Sequence, residues 1–432
     1  RIIVGTATTS AQAPYSSAER LQATAESRKM ASCAPIVNRW NDFDPLEEVV
    51  LGIADGACFP PNEPACQNEF NDGYTKYGTK MSHNFSDWMP WPTGPKLKKF
   101  IDAANQELEG LKAVFEGEGV TVRRPDASLC NFNVATKTPD FESPNQYCAV
   151  CPRDVMMTVG NEIVEAPMSM RSRFFEYRPY RTLTSRYFNS DPGMIWTAAP
   201  KPMMGADAYN TAFWDWSEEE RIERTRKYEY CLSETEIMFD AADCLLLGNM
   251  MFVQHSTVTN LAGIRWLKRH FAPKGITVHT LHCPDDLHPA HTDATFVPIN
   301  GHTVLTNPER PLVEEEIKIF RQNDWRLVDA PFYTTHKEHP VMCQCSRWLS
   351  MNVVSITPSK IVVEETEKPM IDFLEKELGM DVIAIPFRSV FEFGGALHCS
   401  TWDVRRRGGR KDFFPSREGI EDVGLTNHTD LP

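Results

Sequence analysis

Four short stretches of the chain carry side chains whose types and spacing could do chemistry. Phe393-Gly-Gly-Ala-Leu-His-Cys399 delivers a thiol after a glycine-rich turn. His291-Thr-Asp293 sets an imidazole and a carboxylate on one side of an extended segment, and Phe239-Asp-Ala-Ala-Asp243 holds two carboxylates three residues apart. Cys151-Pro-Arg-Asp154 precedes a strand-like run. Taken singly, each has an ordinary structural account. Asp240 and Asp243 would cap a following turn, Asp154 would pair with Arg153, and a lone buried thiol is most often a small apolar filler. Taken together they offer a thiol nucleophile, an acid/base, an orienting carboxylate and further carboxylates. That is the set a Cys–His–Asp acyl- or amidino-transfer site requires.

The other cysteines invite a different chemistry. There are twelve, and two close pairs, Cys148/Cys151 and Cys343/Cys345, could together make a four-thiolate zinc site. Neither pair lies beside a zinc-ribbon-like turn, so reduced cysteines and no metal are the expectation. No Gly-x-Gly-x-x-Gly opens a helix after a strand and no Walker loop is present, so nucleotide binding has no support. The 432 residues are 41% apolar and 24% charged, an ordinary globular composition, and the net charge of −14 repels phosphate backbones and argues against nucleic acid. No apolar run approaches the roughly 20 residues that span a bilayer, so any membrane attachment would run through a partner.

Something must bring these stretches together, and the pattern of elements says what. Five segments share one grammar, an amphipathic helix, a short turn and a β-rich run ending at proline. Lys96 to Pro125 is the clearest: Leu97, Phe100, Ile101, Ala104, Leu108 and Leu111 fall at helical spacing, Gly119 breaks the helix, and Val120-Thr-Val-Arg-Arg leads into Pro125. The others run from Tyr177 to Pro200, Leu261 to Pro284, Val313 to Pro331 and Met370 to Pro386. Several follow another strand-like run, such as Ile163-Val-Glu165, Thr303-Val-Leu305 or Ile361-Val-Val363. Such alternation predicts an α/β fold. Five modules in one compact domain suggest a closed ring, although periodicity alone would equally allow a doubly wound sheet. Residues 1–32 lie outside this grammar. They are rich in Ser, Ala and Thr and carry Arg1, Arg20, Arg28 and Lys29 against Glu19 and Glu26, a bias expected of a tail or the remnant of an organellar transit region. Residues 33–410 form the domain, and 411–432 read as a surface-bound or mobile extension.

A series of longer motifs then makes the chain recognisable. They are Asp44-Pro-Leu-Glu-Glu-Val49, Thr121-Val-Arg-Arg-Pro-Asp126, Thr138-Pro-Asp-Phe-Glu-Ser143, Gly160-Asn-Glu-Ile-Val-Glu-Ala-Pro-Met168, Arg171-Ser-Arg-Phe-Phe-Glu-Tyr-Arg178, Trp348-Leu-Ser-Met-Asn352 and Asp403-Val-Arg-Arg-Arg-Gly408, besides the stretches around Asp240 and Asp293. From about Asn41 to Gly408 the sequence resembles glycine amidinotransferases of the guanidino-group-modifying superfamily. The resemblance implies a five-bladed α/β propeller, the pentein fold, built from ββαβ modules. It implies that Cys399 attacks the guanidinium carbon of arginine, His291 is the acid/base, and Asp240 orients His291. Asp154 and Asp293 would grip the guanidinium, and Arg310 and Ser346 would lie near the α-carboxylate and α-amino end. It implies no metal or organic cofactor, arginine and an amine as small-molecule partners, and a mitochondrial address. A homodimer, or a protein partner at the mitochondrial inner membrane, are the assemblies it brings into view.

The chain departs from the family's pattern around that site. Glycine-using members carry asparagine where His288 stands and methionine where Ala290 stands, both on the acceptor side, so Ala290 should enlarge that side and His288 adds a titratable group. The nucleophile loop lacks a triple glycine, and Cys343-Gln-Cys-Ser346 adds a residue. Three readings follow: an arginine:glycine amidinotransferase, a transferase with another amine acceptor, or a family member recruited as a structural subunit of a mitochondrial assembly. A scaffold has no need of the Cys–His–Asp set.

Overall fold

A computed structural model of the protein describes residues 35–65, 93–283, 290–331 and 347–418. The expected tail at 1–32, together with His288, Ser346, Cys343 and Cys345, lies outside the described residues. Within them are five three-stranded sheets. The first is assembled from both ends of the chain. β1 (Leu46–Leu51), α1 (Lys98–Gly117) and β2 (Thr121–Arg123) come from the N-terminal part, with β2 parallel to β1. The other four sheets are continuous in sequence. They are β3 (Met156–Val159), β4 (Glu162–Glu165), α2 (Arg178–Ser190) and β5 (Ile195–Ala198); β6 (Cys244–Leu247), β7 (Met250–Gln254), α3 (Leu261–Phe271) and β8 (Thr277–Leu281); β9 (Phe296–Asn300), β10 (Thr303–Thr306), α4 (Glu314–Arg321) and β11 (Arg326–Asp329); and β12 (Val354–Thr357), β13 (Lys360–Glu364), α5 (Lys368–Lys376) and β14 (Asp381–Ile385). β15 (Thr401–Arg406) returns to pair antiparallel with β1, completing the first sheet.

Each sheet is an antiparallel pair followed by a helical crossover to a parallel third strand, the ββαβ grammar expected from the sequence. A parallel partner cannot be reached by a tight turn, so the helix is obligatory. α1 buries Ala104, Leu108, Leu111 and Phe115, one face of a 3.6-residue period, and ends where Gly119 adopts a φ of +80° that suits glycine. α3 is capped by the Asn260 side chain, which accepts from the Gly263 amide, and carries Lys268, Arg269 and His270 in its last turn, where they complement the helix dipole. The middle strands are largely buried, β7 throughout its length, whereas the third strands β5, β11 and β14 are partly exposed edges that stop at or just before Pro200, Pro331 and Pro386.

Two details concern the chain's end. Arg406 is buried and bonded to Asp403 Oδ2 at 2.7 Å, Arg405 reaches Glu47 at 3.0 Å, and Arg407 reaches Glu47 while remaining 75% exposed. Arg405 and Arg407 pin the strand end to β1 through Glu47, while Arg406 pairs within β15. Beyond it, Phe414 is fully buried and stacks on Trp325 with ring centroids 5.5 Å apart, and Phe413 meets Phe43 edge-on at 5.8 Å. Residues 411–418 are thereby docked by aromatic burial between chain segments far apart in sequence.

One regularity positions the site. Asp154 stands just before β3, Asp240 before β6, His291 and Asp293 before β9, Asn352 before β12 and Cys399 before β15. Every module offers a reactive or polar side chain at the entrance to the leading strand of its antiparallel pair.

Candidate active site

Short helical turns aim these entrance residues inward. Asp154 lies in the turn Pro152–Val155, Asp240 immediately precedes Ala241–Asp243, and His291 immediately precedes Thr292–Ala294. His291 has a φ of 59°, a left-handed conformation that a non-glycine residue adopts only when its surroundings enforce it. Here the enforcing contact is Asp243, whose Oδ1 accepts from the His291 amide at 2.9 Å. The His291–Asp293 segment is therefore not the extended run that its sequence suggested but a tight turn, and the turn still presents both side chains to one pocket.

The imidazole is clamped between carboxylates. His291 Nε2 lies 3.2 Å from Asp240 Oδ2, and Nδ1 lies 3.8 Å from Asp154 Oδ1. Burial disfavours the imidazolium, but the charge of Asp154 and the hydrogen bonds to Asp240 and Cys399 outweigh it and raise the ring well above the usual histidine range. Behind both carboxylates sits Arg173, itself buried. Its Nη2 donates to Asp154 Oδ2 at 2.9 Å, its Nη1 to Asp240 Oδ2 at 3.4 Å, and its Nε to Glu176. Burial raises Glu176 to about 7 despite that arginine. Arg173 thus occupies one oxygen of Asp154 and one of Asp240. The other two, Asp154 Oδ1 and Asp240 Oδ1, are buried and carry no hydrogen bond among the described residues. Buried acceptors without donors are costly and point to an absent partner.

The thiol arrives on the opposite side. Cys399 Sγ donates to Asp293 Oδ2 at 3.0 Å and accepts from Asn352 Nδ2 at 3.1 Å. Asn352 Oδ1 in turn accepts from the amides of His398 at 2.8 Å and Cys399 at 3.3 Å, holding the loop. Arg153 braces it from behind, donating to His398 O at 2.9 Å and Asp403 at 3.0 Å. Asp154 therefore pairs with Arg173 and not with its neighbour Arg153. Burial would raise Asp293, but the hydrogen bond and charge of His398 and the charge of His291 hold it down at about 2, so it is a carboxylate at neutral pH. Gly395 is required by close approach: a Cβ there would lie 2.5 Å from Cys399 Cβ and 2.6 Å from Cys151 Sγ. Ala396, in place of a third glycine, is buried in an apolar cluster with Leu349 and Phe391.

One donor atom from each of Asp154, His291 and Cys399 lies within 4.8 Å of the other two. Carboxylate, imidazole and thiol could together ligate a soft divalent ion, and equally could surround a planar cation. Comparison with known proteins discriminates the chemistry. The chain is 36% identical over 94% of its length to the mitochondrial glycine amidinotransferase of Gallus gallus, and spans 91% of that protein. It belongs to the glycine amidinotransferase family. An L-arginine:L-lysine amidinotransferase of Pseudomonas savastanoi pv. phaseolicola is 36% identical over 85% of the chain and 94% of its own length. Among solved structures, an amidinotransferase of saxitoxin biosynthesis from Microseira wollei matches with a TM-score of 0.73 and 34% identity, covering 88% of this chain and all of its own. No protein-family model matches. The chain is an amidinotransferase with the α/β fold of such structures.

Of the positions assigned through the amidinotransferase resemblance, Cys399, His291, Asp240, Asp154 and Asp293 converge. Arg310 is buried nearby: its Nη1 donates to Thr295 Oγ1 at 3.2 Å, and that hydroxyl donates to His291 O at 3.3 Å. Ala290 is half-buried and adjoins His291. Reasoning from residue types missed Arg173, Glu176, Asn352 and His398, and gave Asp243 no role beyond a further carboxylate. Arg173, Glu176 and Asn352 lie inside motifs that carried the resemblance, so the motifs were the available signal. Cys148 Sγ faces Glu176 at 4.0 Å, whereas Cys151 Sγ lies against Gly395 on the side of Cys399. Among the described residues no helix is long and apolar enough to cross a membrane.

Proposed function

We propose that the protein moves the amidino group of L-arginine to an amine acceptor through an amidino-Cys399 intermediate, with glycine as the leading acceptor and guanidinoacetate and ornithine as products. The observation that carries this reading is the pair of buried, unpaired oxygens Asp154 Oδ1 and Asp240 Oδ1 beside His291 and Cys399. A guanidinium brings N–H donors in a rigid plane and a positive charge that a cluster of carboxylates stabilises. Asp154 and Asp293 would hold it with its carbon against the sulfur. A thiolate is favoured by neighbouring cations, and here both the imidazolium and the substrate supply charge. The sulfur attacks the guanidinium carbon, the bond from that carbon to arginine Nε breaks, and His291 gives its proton to that nitrogen as ornithine departs. In the second half His291 takes a proton from the incoming amine, which forms the new carbon–nitrogen bond as the carbon–sulfur bond breaks. Asp240 orients the ring throughout, the role of the third member of a triad. Arg310 and Ser346 would read the amino-acid end of arginine.

A different amine acceptor is favoured by one observation, the small side chain of Ala290 beside His291 on the side assigned to the acceptor. We further infer that the five sheets stand as five blades around the site, since each module contributes from its leading strand and the two chain ends share a sheet. A mitochondrial address fits the composition of residues 1–32 and the name of the chicken relative. Incubation with guanidino-labelled arginine and a panel of amines tests the activity: ornithine and a labelled guanidino product are expected, and Cys399→Ala should abolish the labelled covalent adduct. Folded protein that releases no ornithine with any amine refutes the reading, and citrulline as the main product would make the enzyme a hydrolase.

A further inference from the structure

The site contains a second thiol that the transfer chemistry does not use. Cys151 precedes the turn that carries Asp154 and is 1% exposed. Its Sγ also contacts Phe393 O at 3.8 Å, at the start of the nucleophile loop. The two sulfurs flank one point in space: the position a Gly395 Cβ would occupy is 2.6 Å from Cys151 Sγ and 3.1 Å from Cys399 Sγ. Gly395 has no Cβ, so nothing of its own stands between the thiols. Cys148, the other half of the Cys-x-x-Cys spacing, faces Glu176 instead.

We propose that Cys151 and Cys399 form a modification site for hydroperoxides, closing a reversible disulfide that stops the enzyme and shields its nucleophile from irreversible oxidation. The thiolate, not the thiol, reacts with peroxides, and a nucleophile beside an imidazolium is the thiol most prone to do so. Cys399 sulfur attacks the O–O bond; an S–O bond forms, the O–O bond breaks, and the leaving oxygen takes a proton and departs as water or an alcohol. Cys151 then attacks the sulfenic sulfur; the S–S bond forms, the S–O bond breaks, and hydroxide leaves with the Cys151 proton as water. The two thiols are oxidised by two electrons and one peroxide is reduced. For the bond to close, both side chains must turn into the space above Gly395, which no Cβ fills. A dithiol reverses the bond by exchange. With Cys399 tied to Cys151 no thiolate is available. That loss of activity rests on the proposed role of Cys399, whereas the disulfide does not.

The test treats the purified full chain with hydrogen peroxide, blocks remaining thiols, and maps peptides by mass spectrometry beside an ornithine-release assay. The expected results are a peptide linking Cys151 to Cys399, a protein lighter by about 2 Da, and activity that is lost and then regained with dithiothreitol. In Cys151→Met and Cys151→Ala the same treatment should leave Cys399 as sulfinic acid, heavier by about 32 Da, with activity that dithiothreitol does not restore. Oxidised wild-type protein without the linked peptide overturns the proposal, as does equal recovery of the variants. Untreated protein inactive with every amine would count against the transferase reading alone, because the linked peptide is read by mass.

Discussion

Replacing Asp240 by asparagine isolates one charge in a site otherwise unchanged in shape. Asp240 Oδ2 faces two donors, His291 Nε2 at 3.2 Å and Arg173 Nη1 at 3.4 Å. The asparagine carbonyl must take that position, so both contacts survive as neutral-acceptor hydrogen bonds. A charge-assisted bond is worth about 1.5–3 kcal/mol and a neutral one about 1 kcal/mol. The difference, about 1–2 kcal/mol, predicts a fall in kcat/KM for arginine of roughly 5- to 30-fold. The pH profile provides the sharper readout. Asp240 is one of the groups that raise His291, so its neutralisation must lower the histidine. The imidazolium that protonates the leaving nitrogen is then lost at lower pH, and the alkaline limb of kcat/KM moves toward acid. Ornithine release between neutral and alkaline pH, on enzyme with a wild-type circular dichroism spectrum, measures both effects. An alkaline limb that stays in place would refute the assignment of His291 as the acid and Asp240 as its orienter.

Three further substitutions probe other contacts. Arg173→Met leaves Asp154 and Asp240 buried with only the His291 imidazolium beside them and should cost about 3–5 kcal/mol in urea unfolding, with Arg173→Lys recovering part of the loss but less of the affinity for arginine. Gly395→Ala forces a Cβ to 2.5 Å from Cys399 Cβ; an overpacking cost of about 1–3 kcal/mol and a large drop in kcat are expected, and normal kcat would show that the loop moves freely. Phe414→Ala removes a ring stacked on Trp325 far from the thiol and should cost about 3–5 kcal/mol in urea with kcat unchanged.

The sequence by itself determined the modules and the reactive groups. Helical spacing in Leu97 to Leu111, the glycine stop at Gly119 and the buried run of β7 are local patterns, set by which face of an element must leave water, and they appear wherever the chain is read in short windows. The motifs around Cys399, Asp240 and Asp293 likewise lie in a line. The tertiary structure decided what no window contains. Arg173 joins Asp154 to Asp240, Asn352 holds the loop of Cys399, and Cys151 meets a thiol at the far end of the chain, because crossovers and register bring these strand entrances together. The turn at His291 escaped a period-two reading because its backbone is held by Asp243, 48 residues away, and not by its neighbours. Phe413 and Phe414 showed no periodicity, since their burial comes from Phe43 and Trp325, which only folding places beside them. Local free energies select the elements; the catalytic set exists only once distant elements have paid the entropy of meeting.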